Sequence, residues 1–253
     1  MRIDLNCDLG ESFGNYTLGM DAEVIPYVSS VNVACGYHAG DPCVMEKTIE
    51  MAAAAGVGIG AHPGLPDLMG FGRRIMKISP AEARAYMLYQ LGALDAFCRA
   101  KGVMLRHVKP HGALYNMAAK DVALAEAVVG AIKDYDASLI LLALANSEMT
   151  KAAECMGLSY ANEVFADRAY EPDGTLVARS KQGAMIEDEE EAIARVIRMV
   201  KEGKVTAIDG TGVAIQADSV CVHGDGEKAL LFVKKIREAL LHEGIEVKGL
   251  GER

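Results

Sequence analysis

The residues best suited to chemistry in this sequence stand at the ends of short apolar segments or just after them. Four of the six histidines occupy such positions, and so do Lys109 and Asp167; the four are His38, His62, His111 and His223. A hydrolytic site needs this mixture, because imidazoles and carboxylates move protons while a cation stabilises a developing oxyanion. The pattern predicts an enzyme of the hydrolase type, although it names no substrate.

Two of these segments carry polar side chains at every second residue, which is the repeat of a β-strand. They are Asp4, Asn6 and Asp8 in the first segment, and His107, Lys109 and His111 in the fourth. Side chains two residues apart on a strand share one face. A buried lysine is rare without a carboxylate partner, so we expect Lys109 to pair with Asp8 or Asp167. We expect His107, one layer deeper, to be a hydrogen-bonded core residue, whereas Asp4 is open to either a structural or a functional role.

Glycine-rich loops follow the second, third and last segments and carry further candidates. Glycines on both sides of His38 let the backbone turn sharply and present its imidazole. The loop after His62 leads to Arg73 and Arg74, whose guanidinium groups suit a carboxylate or a phosphate. A solvated surface loop explains Arg74 equally well. The residues after His223 begin a helix, and their free N–H groups form an anion seat.

A repeated unit of apolar strand, loop and amphipathic helix positions these candidates. The strand segments are 2–7, 30–35, 58–62, 104–109, 138–145, 159–165 and 219–223. Most are rich in Val, Ile, Leu and Ala, which is typical of parallel strands buried on both faces. Capping sequences mark the helix starts at Asp41-Pro42, Ser79-Pro80-Ala81-Glu82 and Ser147.

About seven such units, with no Gly/Pro/Ser-rich linker between them, predict an α/β fold in which residues 1–253 form one parallel β/α barrel domain. An open doubly wound sheet is the competing fold, but the sequence has neither G-x-G-x-x-G nor a P-loop motif. In β/α barrels the loops after the strands build the site, so the candidates should meet at one rim. The Pro-Asp-Gly turn within 171–174 predicts a hairpin that leaves the barrel.

Composition and charge restrict the class of protein. The net charge of −9 argues against nucleic acid or an anionic membrane as a partner. The N-terminus lacks a signal-peptide pattern, and no apolar run is long enough to span a bilayer. The six cysteines lie far apart without a C-x-x-C pair, which favours reduced thiols in the cytoplasm.

Seven blocks of sequence, in order, resemble the LamB/YcsF family. They are residues 4–11, 31–42, 60–64, 70–74, 108–116, 163–170 and 221–225. The likeness spans essentially the whole chain, and no block is missing. The resemblance implies a distorted β/α barrel related to glycoside hydrolases and polysaccharide deacetylases. It also implies the activity of the family, in which the chain is the A subunit of an enzyme that hydrolyses 5-oxo-L-proline to L-glutamate with ATP, beside separate B and C subunits.

The implied reaction has clear chemical requirements. A lactam carbonyl is a poor electrophile, and phosphorylation of its oxygen by ATP, with Mg²⁺, creates a leaving group; no organic prosthetic group is needed. We expect Lys109 near that oxygen, a histidine among His38, His62 and His111 as the base for water, and Arg73 at the substrate carboxylate. Asp8 completes the catalytic set. The further candidate substrate-binding residues are Asn6, Asn32, Glu163, Asp167 and His223.

Two alternatives remain open from the sequence. One is a metal-dependent hydrolase or deacetylase, in which Asp8, His62 and His111 hold a divalent metal. The absence of an H-x-x-x-H helix pair and of any Trp counts against it. The other is a non-catalytic scaffold that shapes a site on partner subunits. Because no nucleotide loop is visible, ATP is expected at the helix start after His223, at the arginine loop or on a partner.

Overall fold

The computed structural model describes residues 1–222 and 226–251, which form ten strands and eight α-helices. The strands are β1 (Arg2–Leu9), β2 (Ser30–Ala34), β3 (Gly58–His62), β4 (Leu105–Val108), β5 (Ile140–Leu144), β6 (Tyr160–Phe165), β7 (Lys204–Thr206), β8 (Gly212–Ala214), β9 (Ser219–Val222) and β10 (Glu246–Val247). The helices are α1 (Asp21–Val24), α2 (Pro42–Ala55), α3 (Pro80–Ala100), α4 (Gly112–Ala118), α5 (Val122–Tyr135), α6 (Glu148–Met156), α7 (Glu189–Glu202) and α8 (Glu227–His242). Two short 3-10 turns, Ile25–Tyr27 and Leu68–Gly70, lie in the loops.

Seven of these strands run parallel and close into a barrel. Their order is β1, β2, β3, β4, β5, β6 and β9, and β9 pairs again with β1. The register sets Asp8 opposite Asn32 and Asn6 opposite Cys221. β10 pairs in parallel with the first residues of β1. The predicted parallel β/α barrel is therefore confirmed, and the carboxyl ends of its strands meet at one rim.

The predicted helix starts are confirmed by their capping contacts. Asp41 accepts hydrogen bonds from the backbone N–H groups of Cys43 and Val44, and Pro42 occupies the first helical position. Ser79 and Glu82 form a complete capping box at the start of α3. These contacts satisfy donors that a helix start leaves without intrahelical partners, so the helices begin at defined residues directly after the site loops.

The lower half of the barrel is filled by a hydrogen-bonded polar layer. Asp4 is buried and accepts hydrogen bonds of 2.7 Å from the hydroxyls of Ser29 and Ser30, and a third from Ser219. Burial raises the pKa of Asp4 to about 6, even though these hydroxyls favour the carboxylate. Ser219 also accepts a hydrogen bond of 2.7 Å from Asn6. This layer is connected to the site above it through Asn6, whose Oδ1 lies 3.3 Å from Lys109 Nζ.

Two excursions leave the barrel between β6 and β9. The predicted hairpin is confirmed, since Tyr170 pairs antiparallel with Leu176 and the Glu171 N–H donates to the Thr175 carbonyl at 2.7 Å. A second hairpin, formed by β7 and β8, was not predicted because strands of three residues carry too little periodicity. The first hairpin brings residues 175–180 to the site.

All six cysteines are free, and four of them are buried. In the part of the chain that the structure describes, no helix combines the length and apolarity needed to cross a bilayer.

A candidate active site at the carboxyl rim of the barrel

A cavity of about 690 Å³ opens at the carboxyl ends of the strands. This volume is within the range of about 300–1,000 Å³ that is typical of small-molecule sites. The polar and charged side chains in its wall are Asp8, Glu11, His62, Arg73, Lys109, His111, Tyr115, Asn116, Lys120, Arg168, Thr175, Arg179 and Ser180. The rim predicted from the strand ends therefore contains a cavity with polar and charged walls.

Lys109 is the central cation of this cavity. Its Nζ lies 2.9 Å from Asp8 Oδ1, 2.7 Å from Glu163 Oε1 and 3.2 Å from Cys221 Sγ. Burial alone would lower the pKa of Lys109, but Asp8, Cys221 and Glu163 outweigh it and hold the pKa well above its usual range. Tyr115 donates a hydrogen bond of 2.7 Å to the second oxygen of Glu163. Lys109 is thus a fully charged ammonium with a fixed position.

A row of amides beneath Lys109 orients Asp8. Asn32 donates hydrogen bonds of 2.8 Å to Asp8 Oδ1 and to Asn6 Oδ1. His107 Nε2–H donates to Asn32 Oδ1 at 2.7 Å, and burial lowers the pKa of His107 to about 3, so the ring is neutral. His107 is the hydrogen-bonded core residue that the sequence predicted. The ring fits because Gly60 has no side chain, and a Cβ there would lie 2.1 Å from His107 Nε2.

Three histidines and Glu11 form a compact cluster on one side of the cavity. His38 and His111 are stacked with ring centroids 3.6 Å apart, and His62 stands edge-on to both rings. His62 Nε2 lies 3.3 Å from Asp8 Oδ2 and 2.9 Å from His111 Nδ1. His38 Nε2 lies 3.4 Å from Glu11 Oε1. Burial and the neighbouring imidazoles lower the pKa of His38 well below its usual range and that of His111 to about 3.

The loop after β3 packs against this cluster through a glycine. Gly72 has a φ of +62°, and a Cβ there would lie 2.6 Å from His38 Cβ and 2.8 Å from His111 Cδ2. The carbonyl of Phe71, one residue earlier, accepts a hydrogen bond of 2.8 Å from His111 Nε2–H. The glycine-studded loop therefore closes over the histidines, which explains its composition.

Several arginines approach the cavity from different elements. Arg73 lies in the wall with its guanidinium 4.9 Å from the Phe71 ring centroid, whereas Arg74 pairs with Asp67 outside the cavity wall. On the side of the first hairpin, Arg168 donates a hydrogen bond of 2.6 Å to the Val177 carbonyl. Burial and Arg179 nearby lower the pKa of Arg168. Positive charges in a half-apolar cavity favour an anionic ligand.

The structure distributes the predicted site residues over two layers. Asp8, His62, Arg73, Lys109 and His111 line the cavity. Behind or beneath that wall lie His38, Asn6, Asn32 and Glu163, each in contact with a wall residue.

The remaining predicted site residues are Asp167 and His223. Asp167 follows β6 outside the cavity wall, and its carbonyl accepts a hydrogen bond of 2.9 Å from the Ile186 N–H. His223 and the two residues after it fall outside the described residues, whereas the helix predicted to follow them, α8, begins at Glu227. Of the two carboxylates expected beside Lys109, Asp8 is confirmed, and Glu163 provides the second ion pair.

Some residues of the site had no assigned role in the sequence. Glu11 lies beyond the end of β1, and Arg168 and Arg179 belong to the segment around the first hairpin. Tyr115 is in α4 and reaches Glu163 across the barrel. Glu11 had one usable signal, since it follows Asp8 by three residues in the first loop of the rim. The places of Arg168, Arg179 and Tyr115 in the site depend on tertiary packing, for which the sequence has no local signal.

Known proteins that resemble this chain match it over nearly all of its residues and share its fold. Relatives that are named as the A subunit of 5-oxoprolinase are 63% identical in Clostridium beijerinckii, over 97% of this chain and 96% of that protein, and 60% identical in Pyrococcus abyssi, over 98% and 97%. The crystal structure of the lactam utilization protein from Thermus thermophilus matches with a TM-score of 0.93 and 47% identity, covering 99% of this chain and 100% of that one.

A more distant structure shares the fold alone. The family 4 carbohydrate esterase from Streptomyces lividans has a TM-score of 0.51 at 10% identity, over 97% of this chain and 91% of that one. This match supports the predicted parallel β/α barrel fold. The sequence profile of the LamB/YcsF family matches residues 3–253. With matches that span nearly every residue of the barrel and its rim loops, the chain belongs to the LamB/YcsF family.

Proposed function

We propose that this chain is the A subunit of an ATP-dependent 5-oxoprolinase, which opens the lactam ring of 5-oxo-L-proline to give L-glutamate. The names of relatives at 60% identity or more over nearly the full length support this assignment. The observation that carries it is the Lys109 ammonium, which is held by Asp8 and Glu163 in the wall of an arginine-rimmed cavity.

The reaction needs activation of an unreactive amide. Transfer of a phosphoryl group from ATP to the lactam oxygen makes the ring carbon electrophilic, and one water then adds to that carbon. The ring C–N bond breaks to give an acyl phosphate, and a second water releases phosphate and glutamate. Oxygen gains negative charge in these steps, so a fixed cation beside it lowers the barrier.

The geometry suggests a role for each wall residue. Lys109 is placed to stabilise the oxygen or its phosphoryl group, and the Asp8–His62 pair to take a proton from water. His38 and His111 are weaker bases than an ordinary histidine, because burial lowers the pKa of both. Arg73 remains the proposed partner of the substrate carboxylate. Arg168 and Arg179 offer a second anion-binding subsite on the opposite side of the cavity.

The partners follow from the same assignment. ATP with Mg²⁺ is the proposed co-substrate, and separate B and C subunits complete the enzyme in the cytoplasm. A cavity of about 690 Å³ is roomy for a five-membered lactam, which leaves space for phosphate groups or for residues of a partner. The arginine side of the cavity and the partner subunits are the proposed locations of ATP.

One experiment tests the assignment directly. We expect ATP hydrolysis that depends on 5-oxoproline, with one glutamate formed per ADP, only when this chain is combined with both partner subunits. Lys109→Met should abolish glutamate formation in that complex, while Lys101→Met, on the surface beside Glu46 and Glu50, should not. Normal turnover by Lys109→Met would instead support a scaffold role for the chain.

A metal-dependent hydrolase is the second candidate. The specific observation in its favour is the nitrogen-rich cluster of Glu11, His38, His62 and His111. This candidate requires ring opening or deacylation without ATP and loss of that activity after chelation. The ATP dependence of glutamate formation therefore separates it from the first proposal.

A further inference from the structure

The protons of two imidazoles in the cluster are located by backbone carbonyl groups. His62 Nδ1 lies 2.7 Å from the carbonyl oxygen of Lys109, and His111 Nε2 lies 2.8 Å from that of Phe71. A carbonyl oxygen can only accept a hydrogen bond, so each of these ring nitrogens must carry a proton. The other nitrogen of each neutral ring is then a bare lone pair.

These two lone pairs face each other. His62 Nε2 and His111 Nδ1 are 2.9 Å apart, which is a hydrogen-bond distance, yet neither atom has a proton to donate when the rings are neutral. Two buried acceptors in contact repel unless a cation lies between or beside them. The arrangement is the one expected when both nitrogens bind one ion.

The separation of His62 Nε2 and His111 Nδ1 suits a metal. Two nitrogens bound to one ion at about 2.0–2.1 Å lie about 2.9 Å apart at octahedral angles and about 3.3 Å apart at tetrahedral angles. Glu11 Oε1 lies 3.4 Å from His38 Nε2 and 3.9 Å from His111 Nδ1. One donor atom from each of the four residues lies within 4.8 Å of the others.

We propose that Glu11, His38, His62 and His111 bind a divalent first-row transition metal ion such as Zn²⁺. Three imidazoles and one carboxylate are donors that such ions prefer over Ca²⁺ or Mg²⁺, which favour oxygen. Metal-binding histidines commonly donate their other N–H to a backbone carbonyl, as His62 and His111 do. This set shares His62 and His111 with the Asp8, His62 and His111 set suggested by the sequence and adds Glu11 and His38, while Asp8 Oδ1 pairs with Lys109.

The position of the site gives it a place in the proposed reaction. Glu11, His62 and His111 line the cavity, so a bound ion would face the same space as Lys109. Asp8, 3.3 Å from His62 Nε2, would then be the proton acceptor for a water held there. This role rests on the proposed function, but metal binding itself does not depend on which substrate the cavity accepts.

Metal binding can be measured without any substrate. After dialysis against a chelator, we expect the full chain to bind about one equivalent of Zn²⁺ by titration calorimetry and to show the visible absorption of nitrogen-coordinated Co²⁺. Glu11→Gln and His111→Gln should each weaken Zn²⁺ binding by at least about 10-fold. His242→Gln, which changes a histidine at the end of α8, should bind as the unmodified chain does. No saturable binding by the unmodified chain would overturn the proposal, and so would undiminished affinity in both site variants.

A second measurement covers the case in which a variant fails to fold. ¹⁵N NMR of the metal-free, unmodified chain should show the proton of His62 on Nδ1 and that of His111 on Nε2. A proton shared between His62 Nε2 and His111 Nδ1 would overturn the proposal. Because neither measurement involves 5-oxoproline or ATP, a failure of the metal site and a failure of the proposed activity are distinguishable.

Discussion

Replacement of Lys109 by Met should separate stability from catalysis at this site. Lys109 is 3% exposed, and its ammonium lies 2.9 Å from Asp8 and 2.7 Å from a fully buried Glu163. With an effective dielectric constant of about 20, each contact is worth about 6 kcal/mol of gross Coulomb energy. Desolvation of the ammonium offsets much of that sum. Removal of one partner from a buried ionic group costs about 3–5 kcal/mol, because the remaining carboxylates are left uncompensated.

The double variant Lys109→Met/Glu163→Gln tests this reasoning. A neutral amide needs no cation and can still accept a hydrogen bond from Tyr115, whose hydroxyl lies 2.7 Å from Glu163 Oε2. Asp8 stays charged, but its side chain is 16% exposed and cavity water can solvate it. We therefore expect the double variant to regain more than half of the lost unfolding free energy while glutamate formation stays absent.

Denaturant unfolding of the isolated chain and turnover by the complex provide the two measurements. Lys101→Met is the matched control. Lys101 also forms ion pairs with two carboxylates, but it lies on the surface, where solvent screens the charges, so its loss should change stability little. The reasoning is refuted if Lys109→Met is as stable as the unmodified chain. It is equally refuted if Glu163→Gln brings no recovery, or if the restored double variant regains activity.

Three further predictions concern the core layer and the arginine loop. Asp4 has a folded-state pKa of about 6 against 3.8 when unfolded, so its contribution to the unfolding free energy should rise by about 2 kcal/mol as the pH falls from 6 to 4. Asp4→Asn should remove this slope, and an unchanged slope would contradict the assignment. Gly60→Ala should destabilise the fold by about 3 kcal/mol, because its Cβ would lie 2.1 Å from His107 Nε2, whereas Gly92→Ala in α3, with no atom within 4 Å of its Cβ, should be neutral or stabilising in the same denaturation assay. Arg73→Gln should raise KM for 5-oxoproline by about 10-fold and change kcat less, so an unaltered KM would exclude it from carboxylate binding.

Local chemistry determined much of this fold from the sequence alone. The caps at Asp41 and Ser79 involve residues two or three positions away, so they can be read without tertiary information. The alternation of apolar strands with helices likewise predicts parallel strands that are buried on both faces. A lysine at the end of a buried strand needs an acidic partner, and the predicted ion pair of Lys109 with Asp8 is confirmed.

The partners within the site were decided by tertiary structure. Glu163 and Asp167 are both acids and lie four residues apart, within and just after β6, and only the barrel register places Glu163 rather than Asp167 beside Lys109. Glu11, His38, His62 and His111 come together from the carboxyl ends of four different strands and the loops after them. The facing lone pairs of His62 and His111 depend on carbonyl groups of Lys109 and Phe71, and backbone groups carry no residue-specific signal in a sequence. Residue types and their period therefore determined which side chains are buried or exposed at the rim, whereas closure of the barrel and packing of its loops decided which of them meet.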